Sequence, residues 1–360
     1  MERLEVRGAP NTYVCEEGIL DELESLLQKH GITRPLVVHG ERSWNAASLY
    51  FLKNTTEIFT FERYKGECTE AEVQRIVSLI DAGEYDAVIG VGGGKVLDIA
   101  KAAGNGARVD IVLIPTLAST CAAWTPLSVF YNEEGHFTHY TMFAKGADLV
   151  LVEPRILLEA PVRYLIAGIA DTLAKWYEAD VLIEKVKNRP VVLDISYHAA
   201  KLCQQILLQQ GREAVEDYKR KQVTHSLVSV FETIFVAGGM VGGYGDKYGR
   251  ISGAHAIHNG LTVASATHEF LHGEKVAYGI LVQLAIEQKW DAIDELLPYY
   301  LDLGLPTRLE SVGLHLEDST TLRAVCERTV LPYESIHLMG EITAEQVFLA
   351  IQELERVSGV

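Results

Sequence analysis

The segment Asp86-Ala87-Val88-Ile89-Gly90-Val91 runs directly into Gly92-Gly93-Gly94 and then into Lys95-Val96-Leu97-Asp98-Ile99-Ala100-Lys101. An apolar strand that ends in glycines and turns at once into a helix is the layout that seats a phosphate on a helix N-terminus. Glycines let backbone N–H groups approach the anion closely, and the helix end adds about half a positive charge. Lys95 falls in the first helical turn and can add a full charge. Asp98, one turn on, can accept a hydrogen bond from a ribose or from the loop itself. The run is neither Gly-x-Gly-x-x-Gly nor a Walker loop. A turn that merely packs strand against helix accounts for one glycine easily and for three in succession poorly.

Around that segment, short apolar runs alternate with amphipathic stretches. Pro35-Leu36-Val37-Val38-His39, Asp110-Ile111-Val112-Leu113-Ile114 and Leu149-Val150-Leu151-Val152 read as strands, whereas Asp21–His30 and Thr69–Ala82 carry the helical period. Near-continuous apolar strands separated by helices predict a parallel sheet covered on both faces. Beyond about Pro154 the strand signals stop, and Ile166–Ile183, Val192–Gln210, Val223–Gly238 and Glu274–Gln288 follow the helical period. The expected fold class is therefore α/β, with a parallel-sheet domain over residues 1–154 and an all-helical domain over 155–360.

At 360 residues the chain is long enough for two domains with their own cores, and 48% hydrophobic with 22% charged residues is ordinary globular composition. A formal charge of −17 repels phosphate backbones and anionic lipid heads, so nucleic acid and membrane surfaces are poor partners. Met1-Glu2-Arg3-Leu4-Glu5-Val6 lacks the basic-then-apolar pattern of a signal peptide, and no apolar run is expected to approach the roughly 20 residues of a spanning helix. The expected location is the cytoplasm and the expected assembly a homo-oligomer. Five scattered cysteines (Cys15, Cys68, Cys121, Cys203 and Cys326) form neither a disulfide framework nor a thiolate metal motif.

Asp171 lies in the apolar helical stretch Ala167-Gly168-Ile169-Ala170-Asp171-Thr172-Leu173. His255 and His258 lie in Gly253-Ala254-His255-Ala256-Ile257-His258-Asn259-Gly260, and His272 where a new helix begins, in Phe270-Leu271-His272-Gly273-Glu274. One carboxylate and two imidazoles, Asp171 with His255 and His272, form a ligand set for a catalytic divalent ion and leave a position open for water or substrate. Their separation along the chain is not a local metal motif, and a histidine in an apolar helix is more often a hydrogen-bonded core residue than a ligand.

Taken in order, Gly92-Gly93-Gly94-Lys95-x-x-Asp98, Pro115-Thr116, Leu127-Ser128-Val129, Gly168-Ile169-Ala170-Asp171, His255-Ala256-Ile257-His258-Asn259-Gly260 and His272-Gly273-Glu274-Lys275-Val276 resemble the glycerol dehydrogenase branch of the iron-containing (group III) alcohol dehydrogenases. The resemblance covers nearly the whole chain. It implies a Rossmann-like N-terminal domain, a helical C-terminal domain, and an oxidoreductase using NAD(H) or NADP(H). It puts the pyrophosphate on Gly94, Lys95 and Asp98, beside Gly92 and Gly93, and lines the nicotinamide side with Thr116, Ser119, Thr125, Leu127 and Tyr131. It assigns Asp171, His255 and His272 to one divalent ion, zinc or iron. His258, one turn after His255, would either relay the alcohol proton or hydrogen-bond a neighbouring group. Lys247 and Arg250 precede the same helix and read as solvated charges, with capture of a substrate carboxylate as the alternative.

One departure from the branch bears on substrate. Glycerol dehydrogenases carry an aspartate two residues after the serine of the substrate loop. Here Ala118-Ser119-Thr120-Cys121-Ala122-Ala123-Trp124-Thr125 places Cys121 there. Replacing a hydroxyl-binding carboxylate by a thiol argues against a polyol. The stretch Thr120–Val129, together with Leu173–Ala179, Gly239–Gly243 and Glu334–His337, is similar to family members that act on hydroxycarboxylates, which implies a small 2-oxo acid substrate and a preference for NADP(H). After Pro35–His39, Gly40 falls in the slot where NAD-preferring relatives carry an acidic residue, leaving Arg42 and Ser43 to hold a 2′-phosphate; a shift by one residue would put Glu41 there and favour NAD(H). A lyase of the dehydroquinate synthase type is the rival from another class. Its ligand set carries glutamate where this chain has Asp171, and it needs a basic cluster that the sequence does not display.

Overall fold

The computed structural model describes residues 3–8, 10–51 and 58–357. Its strands are β1 (Thr12–Cys15), β2 (Pro35–His39), β3 (Thr60–Arg63), β4 (Ala87–Gly92), β5 (Asp110–Pro115), β6 (Leu127–Tyr131), β7 (Phe137–Met142) and β8 (Leu149–Val152). Six of them form one parallel sheet in the order β1-β8-β5-β4-β2-β3, and β6 pairs with β7 as an antiparallel hairpin. The central strands β2, β4, β5 and β8 are buried at nearly every position, as strands covered on both faces must be. Strands β1 and β3 form the edges and are only partly buried. Their mixed polarity hid them from the sequence reading, as it hid the half-exposed hairpin.

The register sets the site. His39 of β2 lies opposite Val91 of β4, and Gly92 of β4 opposite Pro115 of β5. Gly40, Gly93 and Thr116 therefore leave neighbouring strands at one carboxyl edge, where open α/β sheets bind their ligands.

The chain divides into two compact units. One comprises Arg7–Val162 and Asp217–Gly239 and holds every strand among the described residues; the other comprises Met1–Val6, Arg163–Glu216 and Met240–Val360 and is helical. The boundary read from sequence, after residue 154, falls earlier than this division. The return of Asp217–Gly239 to the sheet-bearing unit has a physical cause. The Tyr218 hydroxyl donates to the carbonyls of Leu157 and Ala160, and the Lys221 ammonium to that of Leu158. A helical period alone does not say which core a helix joins.

The run His225–Tyr248 corrects a second expectation. It is a 24-residue helical run, long and apolar enough by composition to cross a membrane, and its apolar part is mostly buried inside the protein, as in a core helix. The helical stretch read as Val223–Gly238 stops at the glycines of Gly238–Gly245, because glycine weakens a helix by roughly 1 kcal/mol relative to alanine. Close packing is what those glycines serve. A Cβ on Gly239 would fall 2.3 Å from Trp124 Cδ1.

Candidate active site

The metal-type cluster is built in the helical unit. Asp171 sits within the helix Val162–Ile183, with Lys175 and Glu178 one and two turns on along the same face, all three buried. Helix Gly253–Leu261 brings His255, and the first turn of His272–Ile286 brings His272. The last helix can come this close because residue 273 is glycine: a Cβ there would meet the Ala167 carbonyl oxygen at 1.9 Å. Asp171 Oδ1 consequently lies 3.3 Å from His255 Nε2 and 3.2 Å from His272 Nε2. One ligand atom from each of the three residues lies within 4.8 Å of the others, with Asp171 and His255 buried and His272 exposed. A closed side and an open side suit a catalytic ion that keeps one position for substrate.

Glu178 is the functional residue that sequence reasoning missed. Its carboxylate accepts from His255 Nδ1 at 2.7 Å and from the backbone N–H groups of His255 and Ser252 at 3.0 and 2.6 Å. A carboxylate only accepts, so Nδ1 carries a proton and Nε2 is the nitrogen turned toward Asp171. The available signal was spacing: Glu178 falls two turns after Asp171 on one helix face.

Electrostatics support a cation here. Burial opposes ionisation of Asp171, yet hydrogen bonds from His255 and His272 hold its carboxyl well below the usual range. Glu178 is also held low, against its burial, by the charge of His255. Burial alone would depress His255, but the Glu178 charge and the hydrogen bonds to Asp171 and Glu178 outweigh it and push the imidazole up to about 9. Two buried carboxylates beside imidazole nitrogens form an anionic pocket that a divalent ion would neutralise. The donor set fits such an ion.

His258 does not join the three. Its Nε2 lies 3.1 Å from His272 Nδ1 and its Nδ1 3.1 Å from Asn259 Oδ1, so both ring nitrogens are engaged. Burial, then the neighbouring His272 and His255, hold it well below the ordinary histidine range and keep it neutral. Arg250 pairs with Asp246 at 3.6 Å, its carbonyl accepts from Lys175 Nζ at 2.9 Å, and Lys247 lies over the Tyr248 ring.

The sheet-bearing unit holds the predicted cofactor residues. Helix Gly94–Ala107 starts directly after β4, with Gly93 as an N-cap that offers no side-chain bond to the helix end. A Cβ on Gly94 would meet nothing nearer than Ala122 Cβ at 4.0 Å, which leaves room beside the first residue of the helix, where an anion would be favoured. Lys95 is paired with Glu67 at 2.5 Å and lies over the Tyr131 ring at 5.4 Å. Burial, then the charges of Asp98 and Glu67, push the Tyr131 phenol up to about 12.

Asp98 is held by β6 and by its own helix rather than by the glycine loop. Asp98 is buried; Oδ2 accepts from Val129 N–H at 3.1 Å, and Oδ1 pairs with Lys101 at 2.9 Å. Lys101, only 1% exposed, also donates to the carbonyls of Ala122, Thr125 and Leu127. These bonds fasten the loop that carries Ser119, Cys121, Thr125 and Leu127 to the helix of the phosphate loop. Trp124 anchors the same loop by donating Nε1–H to the Gly8 carbonyl at 2.7 Å. The Cys121 carbonyl accepts from the N–H groups of Trp124 and Thr125, which closes the turn. Thr116 is buried and donates its N–H to the Gly92 carbonyl at 3.0 Å, tying the two loops together.

At the end of β2, Gly40 precedes the helix Glu41–Phe51. Ser43 is not free as the sequence reading had it: its Oγ donates to the Val91 carbonyl at 2.9 Å and accepts from Gly40 N–H at 3.0 Å. Glu41 pairs with Arg63 at 2.5 Å, and Arg42 is exposed.

With fold and site in place, comparison with known proteins gives the class. Residues 10–154 match the family model of iron-containing alcohol dehydrogenases. Over 353 residues the chain is 38% identical to hydroxycarboxylate dehydrogenase A of Escherichia coli and 35% identical to glycerol dehydrogenase of Thermotoga maritima, covering 96% of each chain in both cases. The solved structure of a probable glycerol dehydrogenase from Sinorhizobium meliloti matches with a TM-score of 0.86 at 28% identity, covering 99% of both chains. The chain belongs to the iron-containing alcohol dehydrogenase family and is a metal- and nicotinamide-dependent oxidoreductase.

Proposed function

We propose that the enzyme interconverts a small 2-oxo acid and its 2-hydroxy acid, with 2-oxo acid, NAD(P)H and a proton giving 2-hydroxy acid and NAD(P)⁺. The observation that carries this reading is Cys121, at the position where the glycerol dehydrogenase branch has an aspartate, in a turn held by Lys101 and Trp124. A thiol is a far weaker acceptor than a carboxylate for a polyol hydroxyl, and a site built on that bond loses most of its selectivity without it. The 38% identity to a hydroxycarboxylate dehydrogenase supports the same choice.

Asp171, His255 and His272 would hold one zinc or iron(II) ion, whose Lewis acidity polarises the substrate oxygen. Nicotinamide supplies or accepts the hydride. The chain's own contribution is orientation. Glu178 fixes the His255 ring, and neutral His258 holds His272. Gly94 and the open N-terminus of its helix would receive the pyrophosphate, and Thr116, Ser119, Thr125, Leu127 and Tyr131 the nicotinamide end. We assign Gly40 to the adenosine slot and NADP(H) as the favoured cofactor, because the Glu41 charge is matched by Arg63 and Arg42 stands exposed beside it.

The test is initial-rate kinetics. NADPH and NADH oxidation with 2-oxobutyrate should exceed NAD(P)⁺ reduction with glycerol at neutral pH, and Cys121→Asp should move preference toward glycerol. Efficient glycerol oxidation by the unaltered enzyme would reverse the assignment and make it a polyol dehydrogenase.

A further inference from the structure

Glu334 lies outside the ligand set, in a segment that the reaction does not otherwise use. Its carboxylate is buried, accepts from Asn259 Nδ2 at 2.9 Å through one oxygen, and pairs with Arg328 through the other. Because a carboxylate only accepts, Asn259 must turn its amide NH₂ toward Glu334 and its Oδ1 away. That Oδ1 lies 3.1 Å from His258 Nδ1. An amide oxygen also only accepts, so His258 carries a proton on Nδ1. His258 Nε2 lies 3.1 Å from His272 Nδ1, with one proton between them. When His272 Nδ1 supplies that proton, as an ion held on its other nitrogen requires, His272 Nε2, 3.2 Å from Asp171 Oδ1, turns a lone pair toward the ligand set, and His258 keeps its single proton on Nδ1, as the Glu334 end dictates.

Every link in this chain has two orientations, and only the Glu334 end is fixed by chemistry. Asp171 by itself pulls the other way: a carboxylate beside His272 Nε2 favours a proton on that nitrogen, where it would compete with a metal ion. The adjacent residue reinforces the arrangement. Ser335 Oγ donates to the Ser252 carbonyl at 2.6 Å, and Ser252 N–H is one of the donors that hold Glu178. Glu334 and Ser335 together thus reach the supports of both metal-set histidines.

We propose that Glu334 is a positioning residue that acts through Asn259 and His258 to fix the tautomer of His272, presenting an unprotonated Nε2 to the metal. This rests on Asp171, His255 and His272 being the ligand set. It predicts that the orientation of an amide well removed from the metal governs metal affinity.

The experiment uses full-length enzyme carrying ¹⁵N-labelled histidine, loaded with Zn²⁺ and compared with Glu334→Gln and Asn259→Leu. In the unaltered protein, His258 should show a protonated Nδ1 and an unprotonated Nε2. In Glu334→Gln, whose side-chain amide no longer dictates the Asn259 orientation, the His258 tautomer should become mixed or reversed. The Zn²⁺ dissociation constant, read by chelator competition, should rise roughly 10- to 100-fold. Asn259→Leu removes the link outright and should weaken Zn²⁺ similarly, which keeps the test valid if Glu334→Gln fails to fold. Unchanged Zn²⁺ affinity in the folded variants overturns the proposal, as does weakened Zn²⁺ binding with the His258 tautomer unaltered. Failure of the underlying ligand set shows separately, as full Zn²⁺ content in Asp171→Ala.

Discussion

His255 Nδ1 lies 2.7 Å from Glu178 Oε2, which fixes the ring so that its other nitrogen faces Asp171 at 3.3 Å. Glu178→Gln keeps the shape of the side chain but lets its amide present either an acceptor or a donor to Nδ1. Chelator competition should show metal affinity lower by roughly 10- to 100-fold, the usual range for the outer partner of a metal histidine. Affinity equal to that of the unaltered enzyme would reduce Glu178 to a packing role.

Metal binding should release a proton. Without metal, His255 is raised to about 9 and is therefore protonated at pH 7. An ion needs the Nε2 lone pair, so it displaces that proton, and apparent affinity should fall about tenfold for each pH unit below about 9. For folding of the metal-free protein the sign is as follows: the raised value contributes stability that is fully present below the unfolded value of about 6.5 and is lost as pH rises through about 9. Titration with Zn²⁺ in a weakly buffered indicator solution at pH 7 reads the release. No proton released would mean that His255 is already neutral.

Lys101 is 1% exposed and bonds three loop carbonyls besides Asp98. Lys101→Met fills the same space but leaves Asp98 buried without its counter-charge, so stability should fall by roughly 3–5 kcal/mol. Thermal unfolding should show a clearly lower Tm, and Asp98→Asn in the same chain should recover part of it. A Tm within a degree of the unaltered protein would mean that the loop is held by other bonds.

Much of the fold was legible because burial on both faces writes strands as apolar runs. Pro35–His39 and Leu149–Val152 begin and end as read, and the strand before the glycines differs by one residue at each end. The edge strands Thr12–Cys15 and Thr60–Arg63 carry no such run, because one side of each has no neighbouring strand. Asp171, His255 and His272 could be named as a set only from a whole-chain pattern, since local spacing does not bring together residues on three helices. Glu178 and Glu334 stayed hidden for a related reason. A carboxylate that orients a histidine is distinguished by what it touches, and the partners that matter here, His255 for Glu178 and Asn259 for Glu334, lie far away along the chain.

Cofactor choice should turn on Arg42. It is exposed beside Gly40, whereas Glu41 is engaged with Arg63 and Ser43 with the Val91 carbonyl. Expected is a higher kcat/KM with NADPH than with NADH, and an Arg42→Ala variant that loses roughly tenfold with NADPH only, about the value of one exposed charge-assisted bond to phosphate. A preference for NADH that Arg42→Ala leaves unchanged would place Glu41, not Gly40, in the adenosine slot.

The most direct test of the central claim is the metal content of the purified enzyme beside Asp171→Ala, His255→Ala and His272→Ala, with turnover measured on the same samples. One divalent ion per chain in the unaltered enzyme is expected, with loss of both the ion and turnover in each variant while circular dichroism stays unchanged. Full metal occupancy in all three folded variants would contradict the assignment of Asp171, His255 and His272 as the ligands.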